Sequence, residues 1–315
     1  METYDAVIIG AGPSGINCAY RVQTEAPETS FAVLEGREEL GGTWDLFKFP
    51  GLPLIMEHIK DAMAKQHIDK HIQFQQKVVS ANWSSKAKKW KLVVASQGQT
   101  RHITANFLVF GTGYYDYETP LQTIIPGLDN FKGKTFHPQF WLQQYDYSGQ
   151  KHAVVGSGAT AVTLLPRLAE QAAKVTMVQR SPTYIGAKPD ATPLSCVVVW
   201  ERFYHITTCY LLVLFCRASP QAAKGAILKE VAAALPEDVK VKLHFEPNYM
   251  PWDQRLCLAP DGDFFKTIRR KNAHVVTGEI DTATEHGIRM KDGTYVAADA
   301  IITATGLNMK LEGGV

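Results

Sequence analysis

The sequence predicts an α/β fold with two Rossmann-like dinucleotide-binding domains, the second inserted into the first. Three observations lead to this prediction: a glycine-rich turn near the N-terminus, a second glycine-rich turn near the middle of the chain, and strand-like sequence near the C-terminal end. Each turn follows a strand-like run and precedes a helical one. A turn in this context holds a pyrophosphate against the N-terminus of the helix. The chain is therefore expected to bind two dinucleotides.

The first turn, GAGPSG, lies between the strand-like YDAVIIG and the helical INCAYRV. Gly10 permits a tight turn, Gly12 lets a pyrophosphate approach the backbone, and Gly15 lets helix and strand pack closely. Ser14 lies in the same turn and is predicted to bind with it. The next strand, SFAVLEG, ends at Glu35, where a carboxylate can accept hydrogen bonds from a ribose diol. A chance glycine turn is the alternative, but strand, helix and acid together favour a nucleotide site.

The second turn lies in KHAVVGSGATA, before the helical VTLLPRLAEQAA. The following strand ends in Arg180 and Ser181, at the place where the first copy has its acid. An acid there would repel a 2′-phosphate, whereas a guanidinium pairs with it and a hydroxyl donates a hydrogen bond. The second domain is thus predicted to bind NADP(H), with a surface arginine at a strand end as the alternative. The turn contributes Gly156, Ser157, Gly158, Ala159 and Thr160 to the predicted site.

The strand-like end of the chain is expected to return to the first domain. GIRMKDGTYVAADAIITATG is typical of a hairpin with a turn at Asp292-Gly293, followed by an apolar strand that ends at Ala304-Thr305-Gly306. If the end of the chain returns in this way, the sequence predicts a flavin-binding domain that is interrupted by a nicotinamide-binding domain. The predicted bounds are 1–128 and 278–315 for the FAD-binding domain, 129–277 for the NADP-binding domain, and about 188–249 for a helical insertion within the latter.

Composition excludes several classes of protein. The net charge is only +2 and the basic residues are dispersed, which argues against a nucleic-acid-binding protein. The five cysteines are scattered without a C-x-x-C pair, and the N-terminus enters a strand directly, so a reducing, cytoplasmic location is predicted. The acids in PDGDFF are typical of a turn, and no metal site is expected.

The most apolar run is CYLLVLFC at Cys209–Cys216, which is shorter than the roughly 20 residues that a membrane span needs. A buried or interfacial helix is the expected structure, without a transmembrane segment. The helical insertion around this run is a candidate for peripheral membrane contact.

Taken together, the motifs resemble the flavin-containing monooxygenase superfamily, and specifically its type I Baeyer–Villiger monooxygenases. FKGKTFHPQFW, Phe131 to Trp141, matches the fingerprint F-x-G-x-x-x-H-x-x-x-W, and related flavin monooxygenases usually carry Tyr at its last position. Trp141 therefore favours the Baeyer–Villiger side, although Leu142 stands where that side usually has Pro or Asp. The other matching motifs, in order, are GAGPSG with Glu35, GGTWDL, GTGYY, GSGATA, QRSPT, PWDQR and TATGLN.

The resemblance implies FAD and NADPH as cofactors and a small organic substrate together with O2. It implies that Arg255 is the active-site arginine that stabilises developing negative charge, and that His137 couples NADP(H) binding to catalysis. From the residues alone, an ion pair with Asp253 is the alternative for the arginine, and a structural role is the alternative for the histidine. The resemblance also adds Thr43, Trp44, Asp45, Leu46 and Val78 to the cofactor-binding residues.

The sequence also departs from the family pattern. After Gly51 the family continues with a stretch that carries an acidic residue near the flavin, and this acid has no counterpart here. Family members also continue beyond the position of Val315. The sequence is therefore compatible with three functions: a compact FAD- and NADPH-dependent monooxygenase, an NADPH oxidase that releases hydrogen peroxide, and a shortened product without catalysis. The intact glycine turns favour the first two, and the monooxygenase is the function predicted.

Overall fold

The computed structural model describes residues 2–50, 53–142, 144–188 and 198–315. Cys196 and the positions directly after Pro50 where the family's acid is missing lie outside the described residues. The chain forms two compact units. The first unit comprises Met1–Leu121, Gln139–Trp141 and Leu307–Val315, and the second comprises Gln122–Pro138 and Leu142–Gly306.

The first unit is built on a six-stranded sheet. Its elements are β1 (Glu2–Ile9), α1 (Pro13–Glu25), β2 (Phe31–Leu34), α2 (Thr43–Leu46), α3 (Pro53–Lys65), β3 (Ile72–Gln73), β4 (Lys77–Ser84), β5 (Lys89–Ser96), β6 (Gln99–Phe110) and β7 (Tyr115–Pro120). The strand order is β3-β2-β1-β6-β5-β4, in which the first four strands run parallel and β5 and β4 are antiparallel additions. The connection between β4 and β5 is a turn at residues 85–88.

Both faces of the parallel part of this sheet are covered, which explains why β1 and β2 are continuous apolar runs. On one face Ile8 and Val33 pack in a cluster with Ile16 of α1. On the other face the alternate residues pack with Val94 and Leu92 of the antiparallel hairpin; these residues are Val7, Ile9, Ala32 and Leu34. The sheet therefore holds the carboxyl end of β1, and the turn that follows it, in a fixed position.

The second unit is built on a five-stranded parallel sheet. Its elements are β8 (Lys134–Phe136), β9 (Lys151–Val155), α4 (Ala159–Leu168), β10 (Lys174–Gln179), β11 (Tyr184–Lys188), α5 (Val198–Ala218), α6 (Pro220–Ala234), α7 (Val241–Phe245), β12 (Leu256–Pro260), α8 (Asp263–Arg269), β13 (Ala273–Thr277), β14 (Ile280–Thr284), β15 (Gly287–Met290), β16 (Tyr295–Ala297) and β17 (Ala300–Thr303). The strand order is β13-β10-β9-β17-β8. Strands β11 and β12 form a parallel pair, and β14, β15 and β16 form an antiparallel sheet whose last turn contains the predicted Asp292-Gly293.

The division between the units differs from the predicted domain bounds. The predicted bounds assign residues 278–306 and 122–128 to the first domain, but both ranges belong to the second unit. The reason is strand pairing, because β17 lies between β9 and β8, where Ile301 pairs with Ala153 on one side and Thr135 on the other. From the predicted C-terminal segment, Leu307–Val315 returns to the first unit, where β18 (Leu307–Met309) pairs with β7.

Two further predictions concern the helical insertion and the cysteines. Helices α5, α6 and α7 lie within the predicted insertion, while residues 189–197 at its start fall outside the described part of the chain. Cys18, Cys209, Cys216 and Cys257 are free thiols. The cytoplasmic location inferred from the cysteine pattern stays a prediction.

Candidate functional site

The first glycine turn is shaped by close backbone packing. Gly10 has φ +100°, and a Cβ atom on it would lie 2.6 Å from the carbonyl oxygen of Gly111, at the end of β6. A Cβ atom on Gly15 would lie 1.8 Å from the carbonyl oxygen of Gly10. Both glycines are therefore required by the protein itself.

Gly12 is different, because the nearest atom to a Cβ placed on it is the Cα of Gly42 at 3.8 Å. A Cβ atom there would make an ordinary van der Waals contact with Gly42 without a clash, and the residue lies at the N-terminus of α1. A glycine at a helix N-terminus that the protein's own packing does not require fits a position where a pyrophosphate approaches the backbone.

Glu35 is buried and tied to this turn. One carboxylate oxygen accepts a hydrogen bond from the backbone N–H of Ala11 at 2.8 Å, and the other accepts one from the N–H of Arg37 at 3.0 Å. Each oxygen keeps further acceptor capacity for a ribose hydroxyl. The predicted acid is thus fixed beside the turn by the backbone around it.

A cavity of about 240 Å³ opens at this end of the sheet. The predicted residues Gly10, Gly12, Glu35, Leu46 and Val78 line it. Burial, together with a hydrogen bond to Tyr114, raises the pKa of Tyr115 to about 12, so this lining residue stays a neutral phenol. Sequence reasoning missed further lining residues, which include Arg37, Lys77, Tyr115, Asp116, Tyr117, Glu118 and Lys310.

Arg37 organises this cavity. Its guanidinium donates to Asp45 at 3.1 Å and to the carbonyl oxygen of Gly42 at 3.2 Å, and it stacks 5.5 Å from the ring centre of Tyr117. It therefore connects the GGTWDL segment to the strand that ends in Glu35. Its position two residues after the predicted acid was the signal that could have identified it.

The remaining predicted residues of the first unit do not line this cavity. Ser14 lies exposed on the first turn of α1, and Gly15 is buried behind the turn. Thr43 is hydrogen-bonded to the hydroxyl of Tyr117 at 3.2 Å, so it supports a lining residue. Trp44 and Asp45 line a separate groove.

The second glycine turn repeats the geometry of the first. Gly156 has φ +134°, and a Cβ atom on it would lie 2.1 Å from the carbonyl oxygen of Ala304, at the end of β17. Its N–H donates to the oxygen of Val178 at 2.8 Å, just as the N–H of Gly10 donates to that of Leu34 at 2.8 Å. Gly158 caps the N-terminus of α4, whose first residues are Ala159 and Thr160. The two turns are therefore structurally equivalent.

The second turn opens into a cavity of about 550 Å³. Arg180 and Ser181 lie exposed in its wall, and the hydroxyl of Ser157 is held 3.0 Å from that of Thr183. Glu279 also lines the cavity; its hydrogen bond from Lys291 at 2.5 Å, and the nearby charge of Arg180, lower its pKa. The acid is thus ionised and already paired. Other lining residues that sequence reasoning did not assign include Thr123, Ile124, Ile125 and Pro126.

Arg255 lies in the same cavity, directly before β12. Its Nη1 atom is 3.4 Å from the position that a Cβ atom on Gly158 would take. None of the ion pairs among the described residues involves Arg255. The alternative, an ion pair with Asp253, is therefore not observed in this part of the chain. The guanidinium is therefore placed beside the second glycine turn.

The fingerprint segment is held by three contacts within the second unit. Phe131 is buried, and a Cβ atom on Gly133 would lie 2.2 Å from the carbonyl oxygen of Asp299 and 2.6 Å from the Phe131 ring. His137 donates from Nε2 to the carbonyl oxygen of Gly306 at 2.9 Å, since a carbonyl can only accept. Burial lowers the pKa of His137, which keeps the ring neutral. Trp141 belongs to the first unit.

Comparisons with known proteins agree with this geometry. The sequence pattern of the family described as flavin-binding monooxygenase-like matches residues 45–211, and that of the NAD(P)-binding Rossmann-like domain matches residues 8–64. The FAD-containing monooxygenase EthA of Mycolicibacterium smegmatis is 42% identical over 99% of this chain and 71% of its own length. This chain belongs to the flavin-binding monooxygenase-like family. The superfamily and the flavoprotein monooxygenase class predicted from the sequence are therefore confirmed.

Other members and solved structures extend the comparison. EthA of Mycobacterium tuberculosis is 39% identical over 99% of this chain and 71% of its own length. Cyclohexanone monooxygenase with bound epsilon-caprolactone has a TM-score of 0.77 at 19% identity, covering 100% of this chain and 75% of that one. Steroid monooxygenase bound to NADP has a TM-score of 0.75 at 21% identity, and the match covers 98% of this chain and 71% of that one. These structures confirm the predicted fold class.

The alignment of this family member with the M. smegmatis enzyme spans 352 positions, more than the 315 residues of the chain. Some residues of that relative therefore have no counterpart in this chain.

Proposed function

We propose that this family member is an FAD- and NADPH-dependent monooxygenase of the Baeyer–Villiger type, which oxygenates a ketone, an aldehyde or a soft heteroatom. The observation that supports the proposal most strongly is the pair of equivalent glycine turns followed by opposite charges. Glu35 follows the first turn and Arg180 follows the second. An acid suits the ribose diol of FAD, and a guanidinium suits the 2′-phosphate of NADPH.

In the first unit, Gly12 and the N-terminus of α1 would receive the pyrophosphate of FAD, and Glu35 would accept from its ribose. Arg37 keeps the GGTWDL segment against this site through Asp45 and Gly42. When bound, the flavin supplies the electron transfer and O2 chemistry that the protein side chains lack.

In the second unit, Arg180 and Ser181 would hold the 2′-phosphate, and Gly158 at the N-terminus of α4 would receive the pyrophosphate. Arg255 adds a second positive charge to this cavity. A fixed guanidinium also stabilises negative charge that develops on oxygen, which is the role that the family resemblance implies for it.

The Baeyer–Villiger subtype is supported by Trp141 at the last fingerprint position and by Arg255 in PWDQR. His137, held neutral with its Nε2–H on Gly306, is suited to position the segment rather than to transfer a proton from Nε2.

The experiment that tests this function begins with the absorbance spectrum of the protein after incubation with FAD and desalting. NADPH is then added under air with a panel of cyclic and linear ketones and an organic sulfide, and NADPH, hydrogen peroxide and products are measured. We expect retained flavin and an ester or lactone formed in proportion to the NADPH consumed. NADPH consumption matched by hydrogen peroxide without product would make the protein an oxidase. Loss of flavin on desalting would contradict the proposal altogether.

A further inference from the structure

Helix α5 exposes an unusual amount of apolar surface. Its neighbour α6 packs on part of it, and Cys216 is buried, but most of its large apolar side chains remain in contact with water. Exposed fractions between 41% and 76% are found for Val199, Trp200, Phe203, Tyr204, Ile206, Tyr210, Leu211, Leu212, Leu214 and Phe215. Exposed apolar surface on this scale marks a binding surface for a protein or a membrane.

The apolar side chains are not confined to one stripe. Successive residues of an α-helix are about 100° apart, so the exposed Phe203, Tyr204 and Leu212 point in three different directions. A helix that is apolar all round is normally surrounded by apolar material, whereas a protein partner that docks on one side would leave the other sides in water. This distribution favours the interior of a lipid bilayer over a protein groove.

The length of the uncharged stretch indicates how deep the helix could insert. Residues 203–216 contain no Asp, Glu, Lys or Arg, and at about 1.5 Å per residue they are roughly 21 Å long. The hydrocarbon core of a bilayer is about 30 Å thick, so a stretch of this length is typical of a re-entrant or interfacial segment. No single helix among the described residues is long and apolar enough to cross a membrane. Together α5 and α6 have the length and the apolar composition of a span, but they are bent by 118° relative to each other.

Charged and aromatic side chains lie where a bilayer surface would meet them. Arg202 and Arg217 are exposed at the two ends of the uncharged stretch, and Lys229 is exposed on α6. Cations at these positions complement the phosphates of anionic lipids. Trp200 and Tyr204 lie near the first of these ends, and such side chains prefer the headgroup region of a bilayer.

We propose that α5 and α6 form a bent anchor, in which α5 is embedded in one leaflet of an anionic phospholipid bilayer with both of its charged ends at the headgroup level, and α6 leads back to the second unit. The anchor uses none of the residues assigned to the two nucleotide cavities. It can therefore be tested independently of the oxygenation reaction.

The first test is flotation of the full chain with vesicles of phosphatidylcholine and phosphatidylserine, and with vesicles of phosphatidylcholine alone. We expect the protein to float with the mixed vesicles and several-fold less with the neutral ones. The double variant Leu211→Asp and Leu214→Asp should reduce the partition coefficient by about a hundredfold. The control Val79→Asp changes an exposed apolar residue of β4 in the first unit and should float like the unaltered protein. A protein that stays at the bottom with both kinds of vesicle would overturn the proposal.

The second test places a reporter on the helix itself. Cys209 is exposed on α5, whereas Cys216 and Cys257 are buried, so an environment-sensitive fluorophore can be attached to it once Cys18 and Cys196 are replaced by Ser. Vesicles should shift its emission to the blue, and spin-labelled lipid should quench it. Flotation without either change would mean that another surface binds the lipid.

A second copy of the chain is the alternative partner for the exposed apolar surface of α5. Light scattering would then show a dimer without vesicles, Leu211→Asp would convert it to a monomer, and neither form would float. That set of results would also overturn the proposal.

Discussion

The Nη1 atom of Arg255 lies 3.4 Å from the place where a Cβ atom on Gly158 would be. The ribbon of β11 and β12 explains this position, because Tyr184, which follows the Arg180–Ser181 strand end, pairs with Leu256 next to the arginine. The hydroxyl of Tyr249 donates to the carbonyl oxygen of Arg255 at 2.8 Å and fixes the backbone there. Two arginines distant in sequence therefore share one cavity.

Replacing Arg255 should affect both NADPH binding and oxygenation. Arg255→Ala removes a charge from the cavity, so we expect the Michaelis constant for NADPH to rise about tenfold, as for a lost charge-assisted hydrogen bond. We also expect less product per NADPH and more hydrogen peroxide. Arg255→Lys should retain part of both functions, because it keeps the charge without the planar fork. Product yield per NADPH, measured beside the control Arg289→Ala on the exposed face of β15, tests this role. An unaltered yield in Arg255→Ala would exclude it.

Arg180 should decide between the two nicotinamide cofactors. Arg180→Ala is expected to raise the Michaelis constant for NADPH by roughly ten- to a hundredfold, because a hydrogen bond to a charged group contributes about 1.5–3 kcal/mol. The constant for NADH should change little, since NADH has no 2′-phosphate. Steady-state kinetics with both cofactors check this expectation. Equal effects on both would rule out a 2′-phosphate site at Arg180.

Gly12→Val should abolish flavin binding without unfolding the protein. The backbone of Gly12 has φ −78°, which a valine can adopt, and a Cβ atom would meet no described protein atom closer than 3.8 Å. The added side chain would instead occupy the place of the pyrophosphate. Absorbance after desalting and the melting temperature of the apoprotein are the measurements.

Gly15→Ala is the contrasting control, because its Cβ would lie 1.8 Å from the oxygen of Gly10 and should prevent folding. A yellow Gly12→Val protein would mean that the first turn does not hold FAD.

His137 should act through its hydrogen bond to Gly306. His137→Ala removes this bond and is expected to cost about 1 kcal/mol of unfolding free energy, while His137→Gln can donate from its amide and should recover part of it. Chemical denaturation of both variants gives their free energies of unfolding. The rate of NADPH consumption then shows whether catalysis changes in parallel with stability. If both variants lose catalysis equally while Gln restores stability, the imidazole itself takes part in the reaction.

Stability should decrease on mild acidification. Burial lowers the pKa of His137, His152, His244 and His274 below the ordinary value of 6.5. The folded protein then binds fewer protons than the unfolded chain, so the free energy of unfolding falls as the pH drops below about 6.5. Lowered carboxyl pKa values, as for Asp116, act only at more acidic pH.

Thermal unfolding between about pH 7.5 and 5.5 tests this sign. His152→Leu should flatten the profile, because His152 is only 1% exposed. A profile that is flat in the unaltered protein would contradict the prediction.

Much of the fold could be predicted because its signals are local. The two glycine turns, Glu35, Arg180 and the hairpin at Asp292-Gly293 each lie within one strand–turn–helix or strand–turn–strand unit. The conformation of such a unit depends on neighbouring residues, above all on glycines with positive φ. These residues alone were sufficient to predict two dinucleotide-binding units, and the motif order indicated the family.

The tertiary structure decided what depends on contacts between distant segments. Strand β17 could have joined either sheet, and its insertion between β9 and β8 moved the domain boundary. Similarly, Arg37 connects Glu35 to Asp45, Arg255 lies beside Gly158, and α5 remains exposed. An apolar strand or helix has the same sequence pattern whichever surface it packs against. The sequence therefore determined which units form, and only the packing of the chain decided which residues meet and which surface remains uncovered.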